Sequence, residues 1–389
     1  MNEPQAPLVR HAVVLSAASF AILGGCLTLP GTLLPLLVER FGIRLVEAGS
    51  MLAAQPVGYL LAVLAAGRLI AAYGTRRVLA AGMSTAALGF AGFGLISTWA
   101  GGAVMMFVSG LGFGVMEVGT NSLLIVAGGE RRSNLLNLAH LFFGVGSFIT
   151  PVLVTQAVGA GLSWRLTFIA AGTSAVAVAG AWALFDVHDV AAVQPAVGGQ
   201  AVLRSRLALL FAAMLGVYVG TEMGIGGWLT KYMVGVRDVT LTYAGNALSV
   251  YWLGLTGGRL GLSVLSHRIR EEVLLVEMTT LATVAIGAAL IVRQPMGVVI
   301  CAAFIGLGFS GIFPAVIALG GRSHPHDAAQ VTSVMIAGAG LGGIIIPWMM
   351  SAVADAAGLV AGMAVYAALG AVMIVQSLLL CRLVMMRRE

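Results

Sequence analysis

Hydrophobic residues run along the chain in long stretches without alternation, and charged residues gather in the gaps between them. Dividing the chain by hydropathy and by charged or Gly/Pro breaks predicts twelve spans. They lie near 11–38, 45–72, 78–98, 101–127, 132–159, 164–185, 206–234, 240–266, 273–292, 295–320, 327–354 and 359–384. Each has about the 20 residues that a helix needs to cross the hydrocarbon core of a bilayer. Helices rather than barrel strands are expected because lipid forces each backbone to bond within its own segment. The stretch 186–205 alone is long enough for a substantial loop. The expected fold class is an all-α membrane protein of twelve transmembrane helices.

Composition agrees, since 59% of the 389 residues are hydrophobic and only 9% are charged, against about 25% charged in an ordinary soluble domain. A water-soluble fold has no means of hiding that much apolar surface. The start of the chain, with Arg10 and His11 before an apolar run, also fits a signal peptide. That run continues without a small-residue cleavage site, so a first spanning helix is the expectation.

A net charge of +6 raises the question of a nucleic-acid partner, and the placement of the charges answers it. With a cytoplasmic N-terminus, that side of the membrane holds Arg10, Arg76, Arg77, Arg131, Arg132, Arg204, Arg206, Arg268, Arg270, Arg322, Arg382, Arg387 and Arg388. The outer side holds Arg40, Arg44, Arg165, Lys231, Arg237 and Arg293. This bias is the positive-inside pattern of an inner-membrane protein with both termini in the cytoplasm, so the bilayer is the expected partner and nucleic acid is not. Cys26, Cys301 and Cys381 all fall in spans, with no paired or metal-ligand spacing, and are expected to pack as small apolar residues.

The chain repeats itself. "GLGFGVMEV" at 110–118 matches "GLGFSGIFP" at 306–314, and "HLFFGVGSFITP" at 140–151 matches "IAGAGLGGIIIP" at 336–347, both at an offset of 196. "AAGRLIAAYG" at 65–74 matches "TGGRLGLSVL" at 256–265 at an offset of 191. Duplication of a six-helix unit follows. The expected domains are an N-terminal bundle at 1–185, a cytoplasmic linker at 186–205 and a C-terminal bundle at 206–389. Where the copies agree, mostly on Gly and Pro, a shared scaffold is the reason. Where they differ, one half does something of its own: Glu117 falls opposite Phe313, and His140 opposite Ile336.

Glu117 is therefore the first candidate for chemistry. At about 100° per residue, Gly110, Gly114, Glu117 and Asn121 share one narrow sector of the fourth span. Asn137, His140, Gly144, Ser147 and Pro151 share a face of the fifth. At about 1.5 Å per residue, Glu117 and His140 reach similar depths, roughly 12 to 15 Å from the cytoplasmic ends, where they meet directly or through a water. A charged carboxylate facing hydrocarbon costs at least about 2.5 kcal/mol. Glu117 must then face a polar interior, be paired, or hold a proton, and a group that gains and loses a proton suits proton coupling. The structural alternative is a protonated glutamate that cross-bonds two helices, with Asn121 as its partner.

Glu222 is the second acid well inside a span, on one face with Tyr218 and Gly226, and fits either an outer gate or a substrate contact. Gln55, Tyr59, Asn246 and Trp252 are further candidates for a cavity wall. Amides and carboxylates for hydroxyls, with an aromatic face for C–H groups, is the set a sugar ring wants. "GAGLGG" at 338–343 lies inside an apolar span with no strand before it, so helix packing is expected rather than a dinucleotide site. His324 and His326 flank Pro325 and are too sparse for a metal site. No nucleophile with its base and no ATP-binding loop is present, and no cofactor is expected. The energy source is then a gradient or a partner subunit.

Twelve spans in two halves, "GRLIAAYGTRR" at 67–77 and "SWRLTF" at 163–168 together resemble the major facilitator superfamily across the whole chain. "GFGVMEVGTNSL", "LNLAHLFFGVGSFITP", "YVGTEMGIGGWLTKY" and "YWLGLTGGRL" are similar to the fucose/glucose–proton symporter group. The resemblance implies alternating access around a central site lined by helices one, four, seven and ten. It also implies a protonation or substrate-binding role for Glu117, and gating roles for Arg68, Arg76, Arg77 and Arg259. Two features depart from the pattern. Ala71 replaces the usual acid of the motif between helices two and three, and helix one has no acid.

The leading expectation is a secondary transporter, not an enzyme, that moves a small polar solute, a sugar or sugar-like molecule, with protons. Glu117 and His140 serve coupling. Glu117, Asn121, Asn137, Gln55, Tyr59, Tyr218, Glu222, Asn246 and Trp252 contact substrate. The partners are that solute, protons and the bilayer, and the protein is expected to act as a monomer. The rival within transport is a proton-driven exporter of drugs or metabolites, and a lipid carrier is a further one. From other classes, a non-transporting sensor or scaffold on the same fold and an intramembrane enzyme stand as alternatives.

Overall fold

In the computed structural model the described residues are 6–187, 202, 204–265, 269–325 and 327–386. Most of the expected linker, together with Arg268, His326, Arg387 and Arg388, lies outside them. The described residues form helices α1 (Ala6–Thr32), α2 (Leu34–Phe41), α3 (Leu45–Tyr73), α4 (Thr75–Leu95), α5 (Trp99–Gly128), α6 (Arg132–Gly159) and α7 (Trp164–Leu184). They continue as α8 (Arg206–Arg237), α9 (Leu241–Leu265), α10 (Glu271–Ile291), α11 (Pro295–Ser310), α12 (Ile312–Ser323), α13 (Ala328–Ala357) and α14 (Leu359–Met386). Among the described residues, eleven segments are long and apolar enough to cross a membrane. The long helix outside that set is α9, which contains Asn246 and Arg259 and supplies the eighth of twelve spans.

Two expected spans are broken. The first divides at Leu33 and the tenth at Gly311. Pro35 and Pro314 stand just past the breaks. A proline has no N–H to give to the carbonyl four residues back, and its ring clashes there, which weakens the helix at these two places. Pro30, Pro56, Pro151 and Pro347 stand inside helices that continue past them.

The chain divides into two compact units. The first takes the described residues of 1–33, 39–43 and 50–194, and the second those of 34–38, 44–49 and 195–389. Residues 44–49 join the second unit through Asp355, whose carboxylate accepts from the Leu45 amide at 3.1 Å and lies 3.7 Å from the Arg44 guanidinium.

Within the first unit α1 packs on α6, and α4 packs on α5 and α7. Within the second, α8 packs on α13, and α10 on α11 and α14. The same pairing rule recurs because the same glycines enforce it. A Cβ on Gly146 would run into the Ala21 carbonyl of α1, and one on Gly342 would run into Gly216 of α8. Gly110 and Gly306 meet the backbone at Gln55 and Tyr251, Gly112 and Gly308 meet Ala86 and Ala282, and Gly58 and Gly254 meet Phe107 and Ala303. In these last three pairs each glycine, and the residue it touches, lies 196 positions from its counterpart, while Gly146 and Gly342 keep 196 and touch residues 195 apart. Without a hydrophobic force between helices in lipid, such close backbone approach is what lets them associate.

This geometry corrects one alignment. The expected match of Arg68 with Arg259 has an offset of 191, whereas the contacts of α3 and α9 keep 196. Arg259 therefore corresponds to Val63, more than one helical turn from the position of Arg68. Arg68 is exposed, and Arg259 is only partly so.

The contacts give a paired prediction. Gly146→Val places branched carbons against the Ala21 carbonyl and should lower the thermal midpoint of the purified protein sharply. Gly180→Ala, where an added Cβ meets nothing within 4 Å, should leave it unchanged. Thermal denaturation in detergent reads both, and equal midpoints would contradict the packing argument.

Candidate functional site

The polar residues of the first unit collect where α5 crosses α3. Gly110 and Gly114 let α5 lie directly on the α3 backbone at Gln55 and Tyr59. One turn further along the same stripe stands Glu117, whose carboxyl group neighbours the Tyr59 hydroxyl. The predicted sector of Gly110, Gly114, Glu117 and Asn121 thus faces α3. Glu117 is half-buried and has no ion pair among the described residues. One turn beyond it, Asn121 Oδ1 is buried and accepts no hydrogen bond. Gln55 is 7% exposed, and its amide donates to Ser109 Oγ at 3.1 Å, so it braces α3 against α5.

His140 places its ring against Phe20 of α1, with centroids 4.8 Å apart. The reason is again glycine: Gly24, Gly25 and Gly146 close the interface of α1 with α6, and that contact fixes the rotation of α6. His140 and Asn137 remain exposed on α6.

The arginines at the end of the first unit divide. Arg68 and Arg77 are exposed, whereas Arg76 pairs with Asp186, just beyond α7. The carboxylate missing at Ala71 is in this sense supplied from elsewhere in the chain.

In the second unit the expected cavity residues are packed. Tyr218 is fully buried, Trp252 is 2% exposed and Glu222 4%. Tyr218 meets Phe309 edge-on at 5.6 Å, and Tyr251 meets Trp252 at 5.2 Å. The Tyr251 hydroxyl donates to the Glu222 backbone carbonyl at 3.0 Å. Glu222 Oε1 lies 3.7 Å from Arg259 Nη2, with side chains 5% and 35% exposed. Arg259, expected at a gate, is thus the counter-ion of Glu222. The signal was present in the sequence: α8 has one acid, α9 has one charged residue of opposite sign, and intramembrane charges pair. Asn246 is exposed and stands apart from this cluster.

The family model described as Major Facilitator Superfamily matches residues 15–336. The chain is 24% identical over 358 residues to a glucose/mannose transporter of Bacillus subtilis (strain 168), with 88% of each chain covered. It is 24% identical over 323 residues to a glucose/galactose transporter of Brucella abortus (strain 2308), with 77% of each covered. The solved structure of a D-xylose–proton symporter superposes with a TM-score of 0.77 at 12% identity, covering 96% of this chain and 97% of that one. The fold is therefore shared with transporters whose sequences have diverged widely.

Whether the Tyr59 hydroxyl donates a hydrogen bond to Glu117 is open to direct test. In difference infrared spectra, the carboxyl band that disappears in Glu117→Gln should shift to higher wavenumber in Tyr59→Phe, because a carboxyl C=O that loses a hydrogen bond stiffens. An unmoved band would show that the two side chains do not meet.

Proposed function

Because the chain belongs to the Major Facilitator Superfamily, a family of membrane transporters, we propose that it moves a sugar or sugar-like molecule across the membrane by alternating access, driven by proton entry. The names of the glucose/mannose and glucose/galactose relatives support the solute class, and the D-xylose–proton symporter supports the coupling. The observation that carries the reading is the setting of Glu117. This intramembrane carboxyl neighbours a neutral hydroxyl, has no ion pair among the described residues, and shares its stripe with a buried amide oxygen that has no hydrogen-bond partner among them.

A carboxyl in this setting changes its net charge when it gains or loses a proton. With no ion-pair partner among the described residues, its charged form is costly in a dry interior and tolerable when water or substrate hydroxyls reach it. Proton binding then removes the charge that opposes closure, and substrate binding supplies the hydrogen bonds that replace water. In this reading Tyr59 orients the carboxyl, and Asn121 offers an acceptor to a sugar hydroxyl. His140 and Asn137 belong to the wall that faces the solute, and Gln55 belongs to the frame. The protein acts as a monomer, spans the inner membrane many times and keeps both termini in the cytoplasm.

Proteoliposomes with an imposed pH gradient test the proposal. Vesicles alkaline inside should accumulate hexose against its gradient, since the sugar enters together with a proton that moves down its own gradient. Antiport predicts no loading under that gradient and loading when it is reversed. Glu117→Gln should abolish uphill accumulation while downhill exchange of hexose persists. Normal uphill accumulation by the variant would remove Glu117 from the coupling step.

A further inference from the structure

The ion pair of Glu222 with Arg259, buried on the Glu222 side and set in the middle of α8, has a consequence for the cycle. We propose that Arg259 is a positioning residue for transport: it serves as the standing counter-charge of Glu222, the two act throughout as one neutral unit, and the second unit contributes no proton to coupling. This rests on the proton-coupled reading of the first unit.

Among the described residues, the groups around Glu222 are Tyr218 from its own helix and Arg259 and Tyr251 from α9, with Tyr366 of α14 near Tyr251. Arg259 supplies the cation in this set. Tyr218 couples to both members of the pair, yet its hydroxyl has no hydrogen bond of good geometry. Burial works against a charge on either Glu222 or Arg259, and each answers that cost for the other. A guanidinium stays charged in proteins, so a proton on Glu222 would leave the cation without its partner. The side-chain separation of 3.7 Å is a charge contact rather than a tight bidentate clamp. The side chain of Arg259 is also one-third exposed, which leaves the cation side of the pair open to water.

The contrast with the first unit follows from the duplication. Under the 196-residue register, Glu222 falls opposite Cys26, Arg259 opposite Val63, and Glu117 opposite Phe313. Each unit has thus acquired its acid at a position where the other has none. Glu222 is paired with a cation, and Glu117 has no ion pair among the described residues.

The test uses full-length protein in proteoliposomes, scored as hexose accumulation relative to wild type at mildly acidic and mildly alkaline pH. Arg259→Gln should lower the relative rate at alkaline pH by about tenfold or more and recover toward wild type in acid, because a proton then neutralises the orphaned Glu222. Glu222→Gln strands the Arg259 cation, so its loss should persist across the same range. The double variant Glu222→Gln/Arg259→Gln should regain most of the rate, with the charge moved per sugar unchanged from wild type. Arg259→Lys keeps the cation and should fall much less than Arg259→Gln, while monodisperse elution from a sizing column identifies variants that fold. A double variant that moves less charge per sugar would overturn the proposal by making Glu222 a proton carrier. An Arg259→Gln variant equal to wild type, or lost equally at both pH values, would overturn it as well. If wild type accumulates no hexose under a pH gradient, the coupling reading itself fails; if wild type does and the variants behave otherwise, only the role of Arg259 fails.

Discussion

Close backbone contact between helices at paired glycines is the interaction on which the rest of this structure rests. In lipid, apolar side chains gain little by meeting one another, so helices associate where their surfaces let the backbones come near. Gly24 and Gly146 do this for α1 and α6, and Gly220 and Gly342 do it for α8 and α13. Gly110 and Gly306 do it for α5 on α3 and α11 on α9. These contacts set the rotation of each helix about its axis. Rotation in turn decides which polar side chains meet, and the candidate chemistry is a consequence of it.

The history of Glu117 shows this dependence. Depth and helical spacing made His140 a natural partner, and both residues do sit on polar faces of neighbouring spans. Yet the glycine stripe of α5 closes on α3 and so delivers Glu117 to Tyr59. The glycines of α1 and α6 turn His140 toward Phe20. A one-dimensional argument that counts depth along the membrane normal has no access to that choice. What it lacked was the second member of each glycine pair, which lies on a helix far away in sequence.

Much of the fold was nonetheless legible. The long apolar runs predicted the helices, and the repeated Gly and Pro motifs predicted the duplication. The same 196-residue offset that links "GLGFGVMEV" to "GLGFSGIFP" governs the helix contacts. The breaks at Leu33 and Gly311 have Pro35 and Pro314 just past them, yet proline alone does not mark a break, since Pro30 and Pro56 stand inside helices that continue past them. Part of the site was legible too, since Gly110, Gly114, Glu117 and Asn121 do form one stripe. Tyr218, Glu222 and Trp252 were expected at a cavity wall and are instead packed inside the second unit. Polarity inside a span announces a need for partners, which Arg259 meets for Glu222, whereas the Tyr218 hydroxyl is buried with no hydrogen-bond partner among the described residues.

The error in register between Arg68 and Arg259 leads further. Two Gly-Arg-Leu triplets look like copies of one motif, and a sequence match alone placed them together at an offset of 191. The contacts of Gly58 and Gly254 hold the two helices at 196, which sets the arginines five positions apart. At about 1.5 Å per residue that is roughly 7 Å along the helix, enough to change the surroundings of the side chain. Arg68 stays exposed, while Arg259 comes within reach of an acid on α8. Duplication thus supplied two equivalent scaffolds whose glycines had to be kept, because the helices depend on them. The charged positions were free to differ, and the two units came to hold an acid in two different electrostatic settings, Glu222 with a cation and Glu117 with no ion pair among the described residues.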